Sequence, residues 1–348
     1  MNYIGSKLSL LDFIDEVIQK EIASEKKDLL LCDIFAGTNC VSKYFKEKGY
    51  SIIANDIQAF SYFLSKCLIE NNEPFTFDLL KENGIENPFE YLNKLKGRKG
   101  FIYKNYSLGG TSSQEHQRLY FSDENAKKID AIRLKISFWN KTGLLTEKEY
   151  YYLVSSLVES ADKVANTASV YEAFLKQIKP SANKSLVLEP VDISIYQGNH
   201  TYFSTNEDGE RLVSHISGDI LYLDPPYNNR KYDTNYHILE TIALNDSPKI
   251  KGKTGTRAEN LKKSKFCIKK EAPDALENII KNAKFSLILL SYNDEGIIPM
   301  EKIEEIFSKY GEYKRYERQH KRYKADNSRT YLKDYTIEYL HVLKKNID

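Results

Sequence analysis

The feature that most narrows the fold is one short apolar run with a small-residue turn behind it. Leu29-Leu30-Leu31-Cys32-Asp33-Ile34-Phe35 is followed at once by Ala36-Gly37-Thr38-Asn39. Such a run, too short for a stable helix and lacking polar alternation, needs cover on both faces, which is the condition of a buried parallel strand. Val41, Tyr44, Phe45 and Lys48 then mark a helix, Ser51–Asn55 a second strand ending in Asp56, and Phe60, Phe63, Leu64, Cys67 and Leu68 another helix. Strand, turn, helix, strand, helix predicts an α/β, doubly wound sheet. An opening helix is expected from about Lys7, with Leu10, Leu11, Ile14, Val17 and Ile18 on one face and Ser6 as its N-cap.

That grammar breaks near Asn71 and returns near Ser185. Between them the periodicity is helical, with Ile129, Ile132, Ile136 and Trp139 in one stripe. Tyr150, Leu153, Val154, Leu157, Val158, Ala161 and Val164 form a second, led by a capping box of Thr146 and Glu149. The expected organisation is a core in two parts, 1–71 and 185–348, with a helical insertion at 72–184. Strands are expected to resume at 185–188, 192–196, 219–223 and 285–291, with a late, antiparallel strand at 335–343.

The 348 residues, 41% hydrophobic, are enough for a core plus a sizeable insertion. A net charge of +2 neither demands nor excludes a nucleic-acid partner. The four cysteines, Cys32, Cys40, Cys67 and Cys267, and the six histidines have no spacing suited to zinc or a disulfide framework, so no metal is expected. With no apolar run able to span a bilayer, and a motif that starts at Asn2, the expectation is a soluble, cytoplasmic protein.

The strongest chemical signal is Leu221-Tyr222-Leu223-Asp224-Pro225-Pro226-Tyr227. Two prolines fix successive φ angles and donate no backbone hydrogen bonds, so the loop is stiff and its carbonyls face outward. A planar amine fits such a corner, donating one hydrogen bond to the Asp224 carboxylate and one to the Pro225 carbonyl. Its lone pair is then aimed at an electrophilic methyl, while Tyr227 offers a face for a base. The plainer alternative is a strand-ending turn. Asp33 to Asn39 reads as a ligand cradle at a helix start, with Gly37 admitting close approach. Asp56, at the next strand end, suits ribose hydroxyls or, equally, a helix cap. Before the first helix, Tyr3 can pack on a ligand and Lys7 can meet a carboxylate. Residues 249–270 hold nine Lys or Arg against one acid, and residues 313–324 interleave Lys314, Arg315, Arg318, Lys321, Arg322 and Lys324 with Tyr313, Tyr316 and Tyr323. Both stretches read either as phosphate-contacting segments or as solvated faces.

In this order the motifs resemble the Dam-like, alpha-order class of adenine-specific DNA methyltransferases. The resemblance implies a Rossmann-like sheet that binds S-adenosylmethionine, with 72–184 as the target-recognition region. Asn2 to Lys7, including Tyr3, Ile4, Gly5 and Ser6, is similar to the family's N-terminal motif beside the methionine end of that cofactor. Asp33, Phe35, Ala36, Gly37, Thr38 and Asn39 resemble its Phe-x-Gly-x-Gly motif, with Asp33 near the cofactor amine and Asn39 in place of the second glycine. Asp56 and Ile57 match the ribose-binding position, and Ile195-Tyr196-Gln197-Gly198-Asn199 resembles the motif at the cofactor's adenine, which implicates Gly198 and Asn199. Asp224, Pro225, Pro226 and Tyr227 match the catalytic motif in full. Asn228, Arg230, Tyr232, Asn235, Tyr236 and His237 after it, and Leu290-Ser291-Tyr292-Asn293 later, are similar as well. Lys251, Lys253, Arg257, Arg230, Tyr232, Arg315, Lys321 and Arg322 are the expected DNA contacts.

The implied activity is methylation of adenine N6 in double-stranded DNA by base flipping, by a monomer accompanied by a separately encoded restriction endonuclease. RNA adenine, the cytosine exocyclic amine and a non-catalytic DNA-binding module on the same scaffold remain as alternatives. A nicotinamide dehydrogenase is poorly served, because the full glycine fingerprint is missing.

Overall fold

The two apolar runs of the sequence become neighbouring strands at the centre of a sheet. The structure is a computed structural model that describes residues 5–22, 28–196, 198–227, 232–258, 264–321 and 335–346. Among these residues the strands are β1 (Leu30–Asp33), β2 (Ser51–Asn55), β3 (Tyr202–Thr205), β4 (Ser217–Leu223), β5 (Ile250–Lys251), β6 (Thr256–Arg257), β7 (Lys284–Asn293), β8 (Gly311–Lys321) and β9 (Tyr335–Lys345). Seven of them form one sheet in the order β3-β2-β1-β4-β7-β9-β8, and β5 pairs with β6 in a separate ribbon. Neighbours from β3 to β7 are parallel, while β9 runs antiparallel to both β7 and β8. This is the expected Rossmann-like α/β architecture.

Contacts divide the chain into two compact units. The sheet unit gathers Gly5–Ser65, Tyr196–Tyr232 and Lys262–Asp348; the helical unit gathers Lys66–Ile195 and Asp233–Leu261. Residues 233–261 thus cluster with the helices although they follow the Asp224 loop in the chain. In the sheet unit, Leu31, Cys32, Ile220, Leu221 and Leu223 are fully buried, as two-sided cover of central strands requires. The helix Cys40–Glu47 follows β1 and Ala59–Leu68 follows β2.

In the helical unit, Asp123–Lys141 and Glu147–Lys163 carry the predicted stripes, with Ile129, Ile132, Ile136, Trp139, Leu153, Val154, Leu157 and Val158 all buried. The Thr146–Glu149 capping box is present in both directions. Such a cap contributes about 1 kcal/mol.

Three local expectations are corrected. Residues 185–188 and 192–196 are not strands. Their surroundings supply other hydrogen-bond acceptors: Leu186 N donates to Asn125 Oδ1, Leu188 N to Asn93 Oδ1, Glu189 N to Ser160 Oγ and Val191 N to Ser156 Oγ. The strand that joins the sheet is β3, a few residues later. Ser6 does not cap the first helix, which opens as a 3-10 turn at Leu8–Leu10 before Leu11–Glu21 and has no side-chain cap hydrogen bond.

Candidate active site

Four parallel strands deliver polar residues to one edge of the sheet. Register aligns Asp33 at the end of β1 with Ala54 of β2 and Tyr222 of β4, so Asp56 and Asp224 each lie two residues beyond it. Leu223 aligns with Leu290, which carries β7 past Asp224 to Asn293. This carboxyl edge is where ligands of open α/β sheets bind.

Lys7 organises the Asp224 corner. Its Nζ is 3.1 Å from Asp224 Oδ1 and 3.8 Å from Glu338 Oε2, and it sits 5.5 Å from the centre of the Tyr227 ring. The lysine side chain is 3% exposed and the Asp224 side chain 17%, so the acid is sheltered yet reachable. Burial pushes Asp224 up to about 6, against the pull of Lys7, and Glu338 adds to the rise. Burial alone would lower Lys7, but Asp224, Glu338 and Tyr227 together outweigh it and hold the ammonium above its ordinary value. Lys7 thus opposes the burial that favours the protonated carboxyl of Asp224.

The rest of the corner is fixed by packing. Pro225 is buried, and its carbonyl accepts no hydrogen bond among the described residues. Tyr227 packs edge-on to Tyr292 at 6.1 Å, and its carbonyl accepts from Ile297 N at 2.9 Å. Asn293 Nδ2 approaches Glu338 Oε1 at 3.5 Å. Glu338 was not singled out by sequence. It sits in β9 among alternating residues, and only the antiparallel pairing of β9 with β7 brings it opposite Asn293.

The cradle after β1 is preformed. Gly37 takes φ 52° and Asn39 φ 62°, both left-handed. Asparagine is among the few non-glycine residues that tolerate this conformation, which explains how it stands in a glycine position. Its side chain is turned inward: Nδ2 donates to Ser61 O, and Oδ1 accepts from Ser65 Oγ. Asp56 accepts from Gly37 N on Oδ2 at 2.8 Å and from Gln58 N on Oδ1 at 2.9 Å. It therefore braces the turn and holds the next helix start, and the unused lone pairs of each oxygen leave it able to accept more. Its carboxyl is raised by burial, opposed by those two amides.

Asp33 has one satisfied oxygen and one open. Oδ2 accepts from Ser42 Oγ at 2.9 Å, whereas Oδ1 is buried with no hydrogen-bond partner among the described residues. Burial pushes Asp33 up to about 7, with the Ser42 bond opposing and Asp224 and Asp56 adding. An unsatisfied buried carboxylate oxygen beside a glycine turn fits a cationic amine. Phe35, Thr38 and Ile57 are half-buried around this edge, Ala36 is buried, and Gly5 and Ser6 are half-buried ahead of Lys7.

Several expected contacts are placed elsewhere. Gly198 and Asn199 precede β3, and Thr201 N donates to Ser51 Oγ at the start of β2. They lie at the amino end of the parallel strands, opposite Asp33, Asp56 and Asp224, because the strand expected at 192–196 forms instead at β3. At the carboxyl end of β3, Asn206 Nδ2 donates to Asp56 O at 2.7 Å. Arg257 is only 7% exposed and forms a bidentate pair with Asp246, so it is a structural residue of the helical unit. His237 is fully buried, with Nδ1 2.7 Å from Thr234 O, and burial lowers it to about 4.

Lys251 and Lys253 are exposed in the β5–β6 ribbon. Arg315 is exposed on β8, over the Tyr339 ring at 5.4 Å, while its neighbours Lys314 and Arg318 pair with Glu21 and Glu16. Tyr3, Ile4, Asn228, Arg230 and Arg322 lie outside the described residues, as do the side chains of Tyr232 and Lys321. Among the described residues no cluster of metal-ligating side chains occurs, and no helix is long and apolar enough to cross a membrane.

Residues 3–306 match the family described as D12 class N6 adenine-specific DNA methyltransferase. The chain is 44% identical over 347 residues to Type II methyltransferase M.NlaIII of Neisseria lactamica, covering 99% of each protein. It is 39% identical over 354 residues to Type II methyltransferase M.FokI of Planomicrobium okeanokoites, covering all of this chain and 53% of that protein. With Type II methyltransferase M.CviAII of Paramecium bursaria Chlorella virus 1 it shares 35% identity over 337 residues, 94% of each. A strand-end acid followed by two prolines and a tyrosine, beside a glycine turn with an open buried carboxylate, agrees with these matches: the chain belongs to the D12 class of N6 adenine-specific DNA methyltransferases.

Proposed function

We propose that the enzyme takes its methyl group from S-adenosylmethionine and places it on N6 of an adenine rotated out of duplex DNA. The observation that carries this reading is the Asp224 corner: an acid paired with a buried lysine, next to a proline carbonyl that accepts no hydrogen bond among the described residues, at the carboxyl edge of the sheet. Asp33 would hold the donor's ammonium on its open oxygen, Asp56 the ribose hydroxyls, and Gly37 the close approach of the chain. Phe35 and Ile57 would flank the donor, with Gly5 and Ser6 near its methionine end. When bound, the donor supplies an electrophilic methyl.

The protein's own work is positioning. An adenine in a duplex is out of reach, and rotating it out costs a few kcal/mol. Tyr227 would stack on the ring, an interaction of roughly 1–3 kcal/mol. Asp224 and the Pro225 carbonyl would each accept a hydrogen bond from one amine N–H, which draws the nitrogen towards tetrahedral geometry and sets its lone pair. The helical unit would select the DNA sequence. The Type II names of the relatives favour a role in protecting DNA from a partner endonuclease.

Asp224→Ala should abolish methyl transfer, by on the order of 10³-fold or more, while donor affinity stays within a few-fold. Single-turnover assays and calorimetry measure the two quantities. Full activity in that variant refutes the reading. Nucleoside mass spectrometry should find N6-methyladenine in DNA, and a methylated cytosine or a methylated RNA instead would equally count against it.

A further inference from the structure

The β5–β6 ribbon is pinned from beneath by an arginine that has no acidic partner among the described residues. Arg118, in the helical unit, is 5% exposed and forms no ion pair among the described residues. It donates Nε to Lys253 O at 3.0 Å, Nη2 to Gly252 O at 3.0 Å, and Nη1 to Asn105 O at 3.3 Å and Gln114 Oε1 at 3.0 Å. Tyr106 Oη donates to Gly255 O at 2.9 Å. Gly255 has φ 68°, and a Cβ there would come within 2.9 Å of Arg118 Nε. At the ribbon's base, Ala258 N donates to Lys249 O at 2.7 Å. The tip is thus held rigidly.

Peptide geometry then fixes where the tip's donors point. The described peptides are all trans, so each N–H is opposed to the carbonyl of its own peptide plane. The carbonyls of Gly252 and Lys253 face Arg118. The N–H groups of Lys253 and Thr254, in those same planes, therefore face away from it. Neither donates a hydrogen bond among the described residues. Lys249, Lys251 and Lys253 are exposed around them, and residues 249–258 contain no acid. Two successive outward amides over a buried guanidinium, ringed by ammonium groups, offer donors and positive charge on one side of the turn.

We propose that this tip binds a backbone phosphate of duplex DNA, with the Lys253 and Thr254 amides on its oxygens, Lys251 and Lys253 beside it, and Arg118 as the positioning residue. The proposal rests on the DNA-directed reading above. Phosphate contact is independent of base sequence, so a duplex of any sequence serves as the probe. In the full-length protein, Lys251→Gln and Lys253→Gln should each reduce the slope of log Kd against log salt by about 1. Arg118→Lys keeps the charge but loses the fork that reaches two carbonyls. It should weaken binding by on the order of fivefold with an unchanged slope.

Wild-type donor affinity in each variant establishes that the fold is intact. Unchanged slopes in both lysine variants overturn the proposal, and a lowered slope in Arg118→Lys overturns the positioning role by making Arg118 itself a contact. As a second readout, the duplex should shift the amide resonances of Lys253 and Thr254. If inorganic phosphate shifts them and the duplex does not, the tip serves a free anion and the DNA assignment fails. Wild-type enzyme that methylates no DNA at all would instead remove the functional reading beneath it.

Discussion

Arg133 and Asp130 in the helical unit are satisfied more fully than Asp33 in the sheet unit. In the helical unit, Arg133 is 3% exposed and gives hydrogen bonds to Ile242 O, Ala243 O, Ser137 Oγ and Tyr150 Oη. Asp130 accepts from the amides of Gly100, Ile102 and Tyr103. In the sheet unit, by contrast, Asp33 Oδ1 is buried with no hydrogen-bond partner among the described residues, and Glu338 Oε2 has Lys7 Nζ at 3.8 Å but no hydrogen bond among them. Satisfied charges fix one packing; unsatisfied ones cost stability and persist where a ligand completes them.

The largest effect expected from breaking this contrast comes from Lys7→Met. The variant leaves Asp224 and Glu338 facing each other without their cation, and kcat should fall by about 10²-fold. Lys7 holds the Asp224 carboxyl down, so its loss should also move the acid limb of the pH–rate profile upward from about 6. Pre-steady-state rates across pH would show both changes, and an unmoved limb would separate Lys7 from Asp224.

On the scaffold side, Arg133→Met strands the carbonyls of Ile242 and Ala243 and should cost about 2–4 kcal/mol in unfolding free energy, read by denaturant titration. A loss under about 0.5 kcal/mol would show that satisfaction in the helical unit has little structural weight.

Smallest is a proton linkage at Asp33. A bound ammonium favours the ionised acid, so donor affinity should rise close to tenfold per pH unit below about 7 and level off above it. Calorimetry checks this, and Asp33→Asn should bind weakly with no such slope. The same raised carboxyl makes the donor-free fold hold a proton that the unfolded chain has released. Its contribution to stability therefore declines as pH rises from about 4 to about 7.

Legibility in the sequence followed the range of the interactions. Asp33, Asp56 and Asp224 were readable because each ends an apolar run, and strand ends on one edge of a parallel sheet converge by topology. The capping box and the two helical stripes were local in the same sense. Glu338 was hidden because nothing in β9 distinguishes it until β9 is laid against β7. Gly198 and Asn199 read as strand-end residues because residues 192–196 suggest a strand; the strand forms instead at β3, which leaves them at the amino end of the sheet. Basic runs give sign without geometry. In 249–258 the same positive charge belongs to exposed Lys251 and Lys253 and to Arg257, which is sunk against Asp246. Arg118 carries no sequence signal, since its role lies in carbonyls that only the folded ribbon brings to it.

The Asp224 carboxylate, in its sheltered corner, is proposed to accept a hydrogen bond from the target amine and so set its lone pair for transfer. Single-turnover methylation by the wild type and Asp224→Asn, with donor and DNA saturating, tests it across pH. The wild-type rate should fall tenfold per unit below a pH of about 6, and the variant should be far slower with no such limb. An Asp224→Asn enzyme that kept both the wild-type rate and its acid limb would contradict it.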